Sequence, residues 1–428
     1  MTIAATGDSL ITMRVAQSPD PGFSALLDLL RPADIRFTNL EVSLHDFAGS
    51  PQAASGGTYA TGHPSLIEDL KLIGFNLYSA ANNHMMDWGE GGLFATMETL
   101  DGAGVVYSGI GRHLQEARSP RYLETAAGRV ALLSATSTFP PHAPAGEQRP
   151  DCQGRPGVNP LRFSEVVSVD APTLQTLAEI HRRLHLGAGR DLRIQLGFER
   201  PDAAGTTTLF DRTFRVSEPQ GLQTEVHRGD LAGNLAWIRD ARRQADWVVV
   251  SLHAHEMLAG EREQPAEFIA VFCRQAVEAG ADIVLGHGPH LLRGLEVYQG
   301  KPIFYSLGNF IFQNETVLRQ PFDFYDRLGL PPTATPADAF DARGARGGFA
   351  SDPRYWESIL PVCRFRGGEV QEIRLYPVTL GHGLARPQRG APVRAAETAG
   401  RAIVERTGRL SPSVHVEWQR DGYGQVTW

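Results

Sequence analysis

Histidines and carboxylates in this chain gather at a few short stretches, and each stretch directly follows an apolar run. Asp8 closes a run over residues 3–6, and Asn39-Leu40-Glu41 closes the next. A third run leads into Asn82-Asn83-His84, with Asp87 and Gly89 just beyond. Residues 247–252 (WVVVSL) lead into His253, His255 and Glu256, and residues 283–285 lead into Gly286-His287-Gly288-Pro289-His290. Imidazole and carboxylate groups suit zinc, manganese, iron or a similar ion. They suit general acid–base catalysis equally well, because imidazole titrates near neutral pH. Residue type alone leaves both open. Spacing adds more: His253 and His255, two apart on a strand, face one side. Gly286 and Gly288 permit unusual backbone angles and Pro289 limits the turn, so His287 and His290 can point one way. Three polar side chains straight after a buried strand, Asn82 to His84, need partners.

Ligand and catalytic groups in open α/β sheets collect beyond the carboxyl ends of strands. Five strand ends here carry Asp, Asn, Glu or His, which predicts one convergent site. The intervening elements agree. Strands are expected at 3–6, 35–39, 75–80 and 105–107, and helices at 21–30, 64–73 (capped by Gly74) and 90–100. A hairpin follows at 121–125 and 129–135. Strands separated by helices of this length predict a layered α/β fold, two sheets flanked by helices. Residues 1–380 read as the main domain. Within it, 139–225 reads as an insertion: a Pro/Gly/Arg-rich loop at 139–160 lying over the motif edge, a helix at 171–186, and a β-hairpin at 192–199 and 207–216. Residues 322–355 read as an irregular cover. A hairpin is expected at 358–365 and 370–377, and 381–428 as a C-terminal extension of one helix and one strand.

The chain has 428 residues, 42% hydrophobic and 21% charged, with net charge −7 and three cysteines. That composition excludes disordered and fibrous classes, and the acidic balance excludes nucleic acid as main partner. Cys152, Cys273 and Cys363 are too scattered for a disulfide framework or a zinc ribbon. Without an apolar stretch of ~20 residues, and with a strand at the very start, the expectation is a cytoplasmic protein without a membrane anchor. Arg149, Arg155, Arg162 and Arg293 point to an anionic substrate, since guanidinium pairs bidentately with carboxylate or phosphate. Asn39, His255 and Glu256 join them as expected substrate-binding residues.

Taken in order, Gly7-Asp8, Asn39-Leu40-Glu41, Ala81-Asn82-Asn83-His84 with Asp87-x-Gly89, Gly286-His287-x-Pro289-His290, and Ser306-Leu307-Gly308-Asn309-Phe310 resemble the capsule-synthesis family that includes CapA and PgsA. These poly-γ-glutamate synthesis proteins are similar to the calcineurin-like metallophosphatases, whose sheet sandwich holds a two-metal site. The resemblance covers residues 3–135 and 230–315. It implies metal ligands at Asp8, Glu41, Asn83, His253, His287 and His290, and catalytic roles for Asp8, His84, His287 and His290. The chain departs from the metallophosphatase pattern twice. Asp8-Ser9-Leu10 stands where that pattern has Asp-x-His, and Glu41 stands near the bridging Asp. The expected cofactor is therefore one or two divalent ions (Mn, Zn, Fe or Ca), or none. Three functions follow. The first is a hydrolase of an amide (peptide or γ-glutamyl) or phosphoester bond. The second is a metal-independent peptide epimerase like that of lasso-peptide biosynthesis, with Asp8 and His287 or His290 flanking a Cα–H. The third is a non-catalytic protein that binds or assembles an anionic polymer.

Overall fold

The computed structural model describes residues 1–348 and 351–428. Two sheets lie face to face with helices on their outer sides, the layered α/β sandwich expected. The larger sheet has ten strands; Thr2–Leu10 sits inside it, parallel to Ile35–Leu40 and antiparallel to Glu357–Arg366. The smaller has six, ordered Leu292–Tyr298, Lys301–Leu307, Ile283–His287, Trp247–His253, Gly128–Thr136 and Arg121–Thr125. Side chains alternate across a strand, so every other residue of each sheet enters the layer between them. Ile3, Ala5, Ile35 and Phe37 from one sheet meet Val130, Val249, Ile283 and Leu285 from the other. Outer faces pack on helices: Pro21–Leu30, Leu66–Ile73 and Gly89–Gly102 on one side, Arg228–Gln244 and Glu267–Ala279 on the other. The parallel strands of both sheets end at one edge, where the polar motifs lie.

A close backbone approach sets that edge. Strand Asn309–Phe312 runs parallel to the end of Thr2–Leu10, and the Asp8 amide donates to the Gly308 carbonyl at 3.0 Å. A side chain at Gly7 would place its Cβ 1.8 Å from that carbonyl oxygen. Glycine is the residue that lets two backbones come this near.

Several expectations need correction. Residues 192–199, expected as a strand, are instead the end of helix Ala188–Gln195 and the turn after it. The alternation L-R-I-Q-L satisfies either period over so short a run, and Arg190 and Arg193 both pair with Glu199, folding the helix end back on the following turn. The rest of the inserted subdomain is helix Ala171–Arg183 and a four-stranded sheet that includes the Thr206–Leu209/Arg212–Val216 hairpin. Residues 322–355 are not irregular throughout: Phe322–Asp326 and Pro336–Ala345 are helices, the second opened by a Thr335/Asp338 capping box. Phe324, Ala339 and Phe340 form a small core of their own there; residues 349–350 of this stretch lie outside the described residues. Finally, residues 139–160 contribute no side chain to the cavity lining, although His142 Nε2 lies 3.4 Å from the Met86 carbonyl beside the Asn82–His84 motif. Ala143 and Val158 are buried in the main core, and Val158 pairs with Ile110.

Residues 381–428 contribute the expected helix, Glu397–Arg409, but a hairpin in place of the single strand expected: His415–Gln419 and Tyr423–Thr427 extend the ten-stranded sheet through Arg374 and Leu375. Among the described residues no helix is long and apolar enough to cross a membrane. The Gly7 contact generates a test. Gly7→Ala should cost about 2–3 kcal/mol, because the strand pair must separate to admit a methyl group. A thermal or urea melt of the variant beside Gly102→Ala, where a Cβ meets open space, checks it.

Candidate functional site

Asp8 is fully buried, and both its oxygens are held. Asn39 donates to Oδ1 at 2.8 Å and the Gly288 amide to Oδ2 at 3.0 Å. Around it stand three imidazoles: His287 Nδ1 at 3.5 Å, His253 Nδ1 at 3.9 Å and His290 Nδ1 at 3.6 Å. Ser251 meets His287 Nε2 at 2.7 Å and orients that ring. Asn309 Oδ1 accepts a hydrogen bond from His290 Nδ1 at 2.9 Å. His290 has φ +60, a left-handed backbone that non-glycine residues rarely adopt. Two donor sets result. Ligand atoms of Asp8, His253 and His287 lie within 4.8 Å of one another, and so do those of Glu41, His255 and His290. Leu10, where metallophosphatases carry an imidazole, is part of a cavity wall.

Electrostatics at this cluster are unbalanced. Both oxygens of the buried Glu41 lack a hydrogen-bond partner, as do Oδ1 of Asn39 and Oδ1 of Asn83. Burial, the Asp8 charge and Asp87 push the Glu41 carboxyl well above its ordinary range. Burial also raises Asp8, against the pull of His290, Asn39 and Gly288. Desolvation lowers His287 to about 3 and holds His253 and His255 far below the usual imidazole value. Neutral rings are the form that ligates metal. A buried carboxyl without a partner costs several kcal/mol, and a divalent cation supplies the missing charge. Four unpartnered acceptors among neutral imidazoles therefore fit a cation site. Nitrogen-rich donors suit Zn, Mn or Fe rather than Ca, which takes oxygen ligands.

Above the cluster opens a cavity of about 320 Å³. His84, His255 and His290 reach its lining, with Leu10, Phe312 and Met257 as apolar wall. His84 Nδ1 is 2.7 Å from Asp87 Oδ2, and the other Asp87 contacts, the Ala60 and Gly56 amides, hold that carboxylate in place. His84 Nε2 then lies beside Asn83 Nδ2 at 3.3 Å.

The motif residues named in the sequence thus come together: Asp8, Asn39, Glu41, Asn83, His84, His253, His255, His287 and His290. Others stand elsewhere. Glu256 accepts from the Ser137 and Thr138 hydroxyls at 2.5 and 2.8 Å and ties two strand ends. Arg149 pairs with Asp151, Arg155 donates to the Pro144 carbonyl, and Arg162 pairs with Asp230; none lines the cavity. Arg293 does line it, but its guanidinium is spent on the carbonyls of Arg262, Ala254 and His255, bracing the loop that carries His255. Three contributors had no assigned role in the sequence. Asp87 is three residues past His84, the reach of one turn. Arg262 and Arg343 line the cavity from distant segments with no local signal.

A layered α/β sandwich with paired imidazole–carboxylate sets at its strand ends is the class this fold and site define. The profile described as "Bacterial capsule synthesis protein PGA_cap" matches residues 2–314, and the chain belongs to that family. It is 38% identical over 427 residues to the uncharacterized protein y4sH of Sinorhizobium fredii, covering 96% of this chain and 89% of that one. It is 25% identical over 261 residues to the capsule biosynthesis protein CapA of Bacillus anthracis, covering 61% of this chain and 46% of that one. A probable polyglutamine synthesis accessory protein of Mycobacterium tuberculosis is 24% identical over 60% of this chain and 50% of its own length.

Glu41 gives the test of the unbalanced charge. In chelator-treated protein Glu41→Gln should melt at or above the wild-type temperature, by about 1 kcal/mol or more, because a buried carboxyl is removed. Added Mn²⁺ or Zn²⁺ should raise the wild-type melting point and raise that of the variant by less, since only the donor set containing Glu41 is broken. Scanning calorimetry with and without each ion measures both.

Proposed function

We propose that this CapA-like chain is a cation-dependent hydrolase of an anionic substrate. The amide bond of a glutamyl or peptide chain is the favoured linkage, and a phosphoester the other. The observation that carries this reading is Glu41, a fully buried carboxyl at the cavity floor whose oxygens meet no hydrogen-bond donor and stand 3.6 Å from His253 Nε2 and 3.7 Å from His290 Nδ1. Asp8, His253 and His287 would hold one ion; Glu41, His255 and His290, with Asn83 Oδ1 turned to the same cluster, a second. A bound divalent ion lowers the pKa of water towards ~7 and polarises the carbonyl or phosphoryl oxygen under attack.

The remaining chemistry falls to side chains. Asp87 fixes the His84 ring, which lines the cavity, through Nδ1; Nε2 is left to take the proton of the attacking water and pass it to the departing amine or alcohol. Arg262 and Arg343 add positive charge to the lining and suit a carboxylate- or phosphate-bearing substrate. The glutamyl preference rests on the resemblance to poly-γ-glutamate synthesis proteins; of the relatives, one is named a capsule biosynthesis protein and another a probable polyglutamine synthesis accessory protein. An epimerase built on Asp8 has less support, since that carboxylate is fully buried and does not line the cavity.

The test is a panel of γ-glutamyl peptides, poly-γ-glutamate and aryl phosphoesters, run on chelated protein and after return of Mn²⁺, Zn²⁺ or Fe²⁺. Turnover should need the ion. His84→Ala should lower kcat by about 10²–10⁴ with ion content retained, whereas His290→Ala should lose ion and turnover together. Undiminished turnover after chelation would overturn the hydrolase reading. Ion binding without turnover on any substrate would point to polymer binding instead.

A further inference from the structure

The inserted subdomain carries a surface that the site does not use. Helix Ala171–Arg183 lays Leu174 and Leu177 on a small core of Val169, Leu209 and Phe214. Beyond it the chain turns and forms helix Ala188–Gln195, which has no buried residue. Leu184, Leu186, Leu192, Leu196 and Phe198 are each more than half exposed, Phe198 at 80%. Leu192 and Leu196, four apart, share one face of the second helix. Soluble surfaces carry apolar residues singly; five large ones within one short stretch mark a binding face.

Charge selects the occupant. Residues 180–200 hold five arginines against two acids, in a chain of net charge −7. Arg190 and Arg193 neutralise Glu199, and Arg190 also meets Asp202. Arg182, Arg183 and Arg200 are exposed and enter no ion pair among the described residues, while Glu179 and Asp191 are the acids left on the same tip. A second copy of the chain would oppose arginine to arginine. Aliphatic or aromatic side chains and guanidinium groups are interleaved from Arg182 to Arg200. Leu and Phe interleaved with Arg on short exposed helices is the composition of segments that lie in a bilayer interface.

We propose that the tip formed by residues 180–200 docks peripherally on an anionic lipid surface, its leucines and Phe198 entering the headgroup boundary and its arginines meeting lipid phosphates. This holds whether or not the cavity is a hydrolase. The experiment is sedimentation of the full chain with vesicles of phosphatidylcholine alone or mixed with phosphatidylglycerol. Binding to the mixed vesicles should exceed binding to the neutral ones by about tenfold or more and weaken as salt rises. Leu192→Ser/Leu196→Ser/Phe198→Ser should abolish it with an unchanged melting curve, since these side chains are exposed. Arg182→Gln/Arg183→Gln should remove most of the preference for anionic lipid. Three results would each overturn the proposal: no sedimentation with anionic vesicles, binding equal in the triple-serine variant, or a concentration-dependent dimer that this variant breaks.

Discussion

Asp8 joins the two sheets at the edge where all the polar motifs meet. Its carboxylate accepts from Asn39 on the larger sheet and from Gly288 at the end of the smaller one, while its own amide bonds to Gly308. One side chain thereby fixes the separation of the sheets at the floor of the cavity. The imidazoles inherit their positions from that separation: His253 and His287 sit on paired strands in register, and His290 follows one turn later. Because Asp8 is spent as a tie and a floor, the groups left to meet a substrate are those of the rim.

The rim is where the sequence was least informative. Strand ends are local features: an apolar run followed by Asp, Asn or His announces both the strand and the group it delivers, and these placed Asp8, Asn83, His84, His253 and His287 at one edge. Arginine carries no such signal. Arg149 and Arg155 lie in a Pro- and Gly-rich stretch that Ala143 and Val158 anchor in the main core beside Ile110, and neither arginine lines the cavity. Arg343 lies about as far along the chain from the motifs as any residue of the site. It arrives there only because a capped helix stands on its own core and reaches the Thr58 hydroxyl.

The same division separates what the fold demands from what the cavity can vary. Residues facing the layer between the sheets must match partners on both sides, so volume and register restrict them. The segment from 322 to 348 meets its own core of Phe324, Ala339 and Phe340. Its contribution to the lining can change without disturbing Asp8 or the imidazoles.

The left-handed backbone at His290 bears on how the site persists through descent. A non-glycine residue there carries roughly 1–3 kcal/mol of strain, which Gly would relieve. Neutral drift is therefore biased against the ring: mutations that discard it also make the polypeptide sturdier. Purifying selection on whatever the cavity does must outweigh that bias in every generation. Among descendants freed from the task, position 290 is where decay would start, and a glycine there would be its earliest trace.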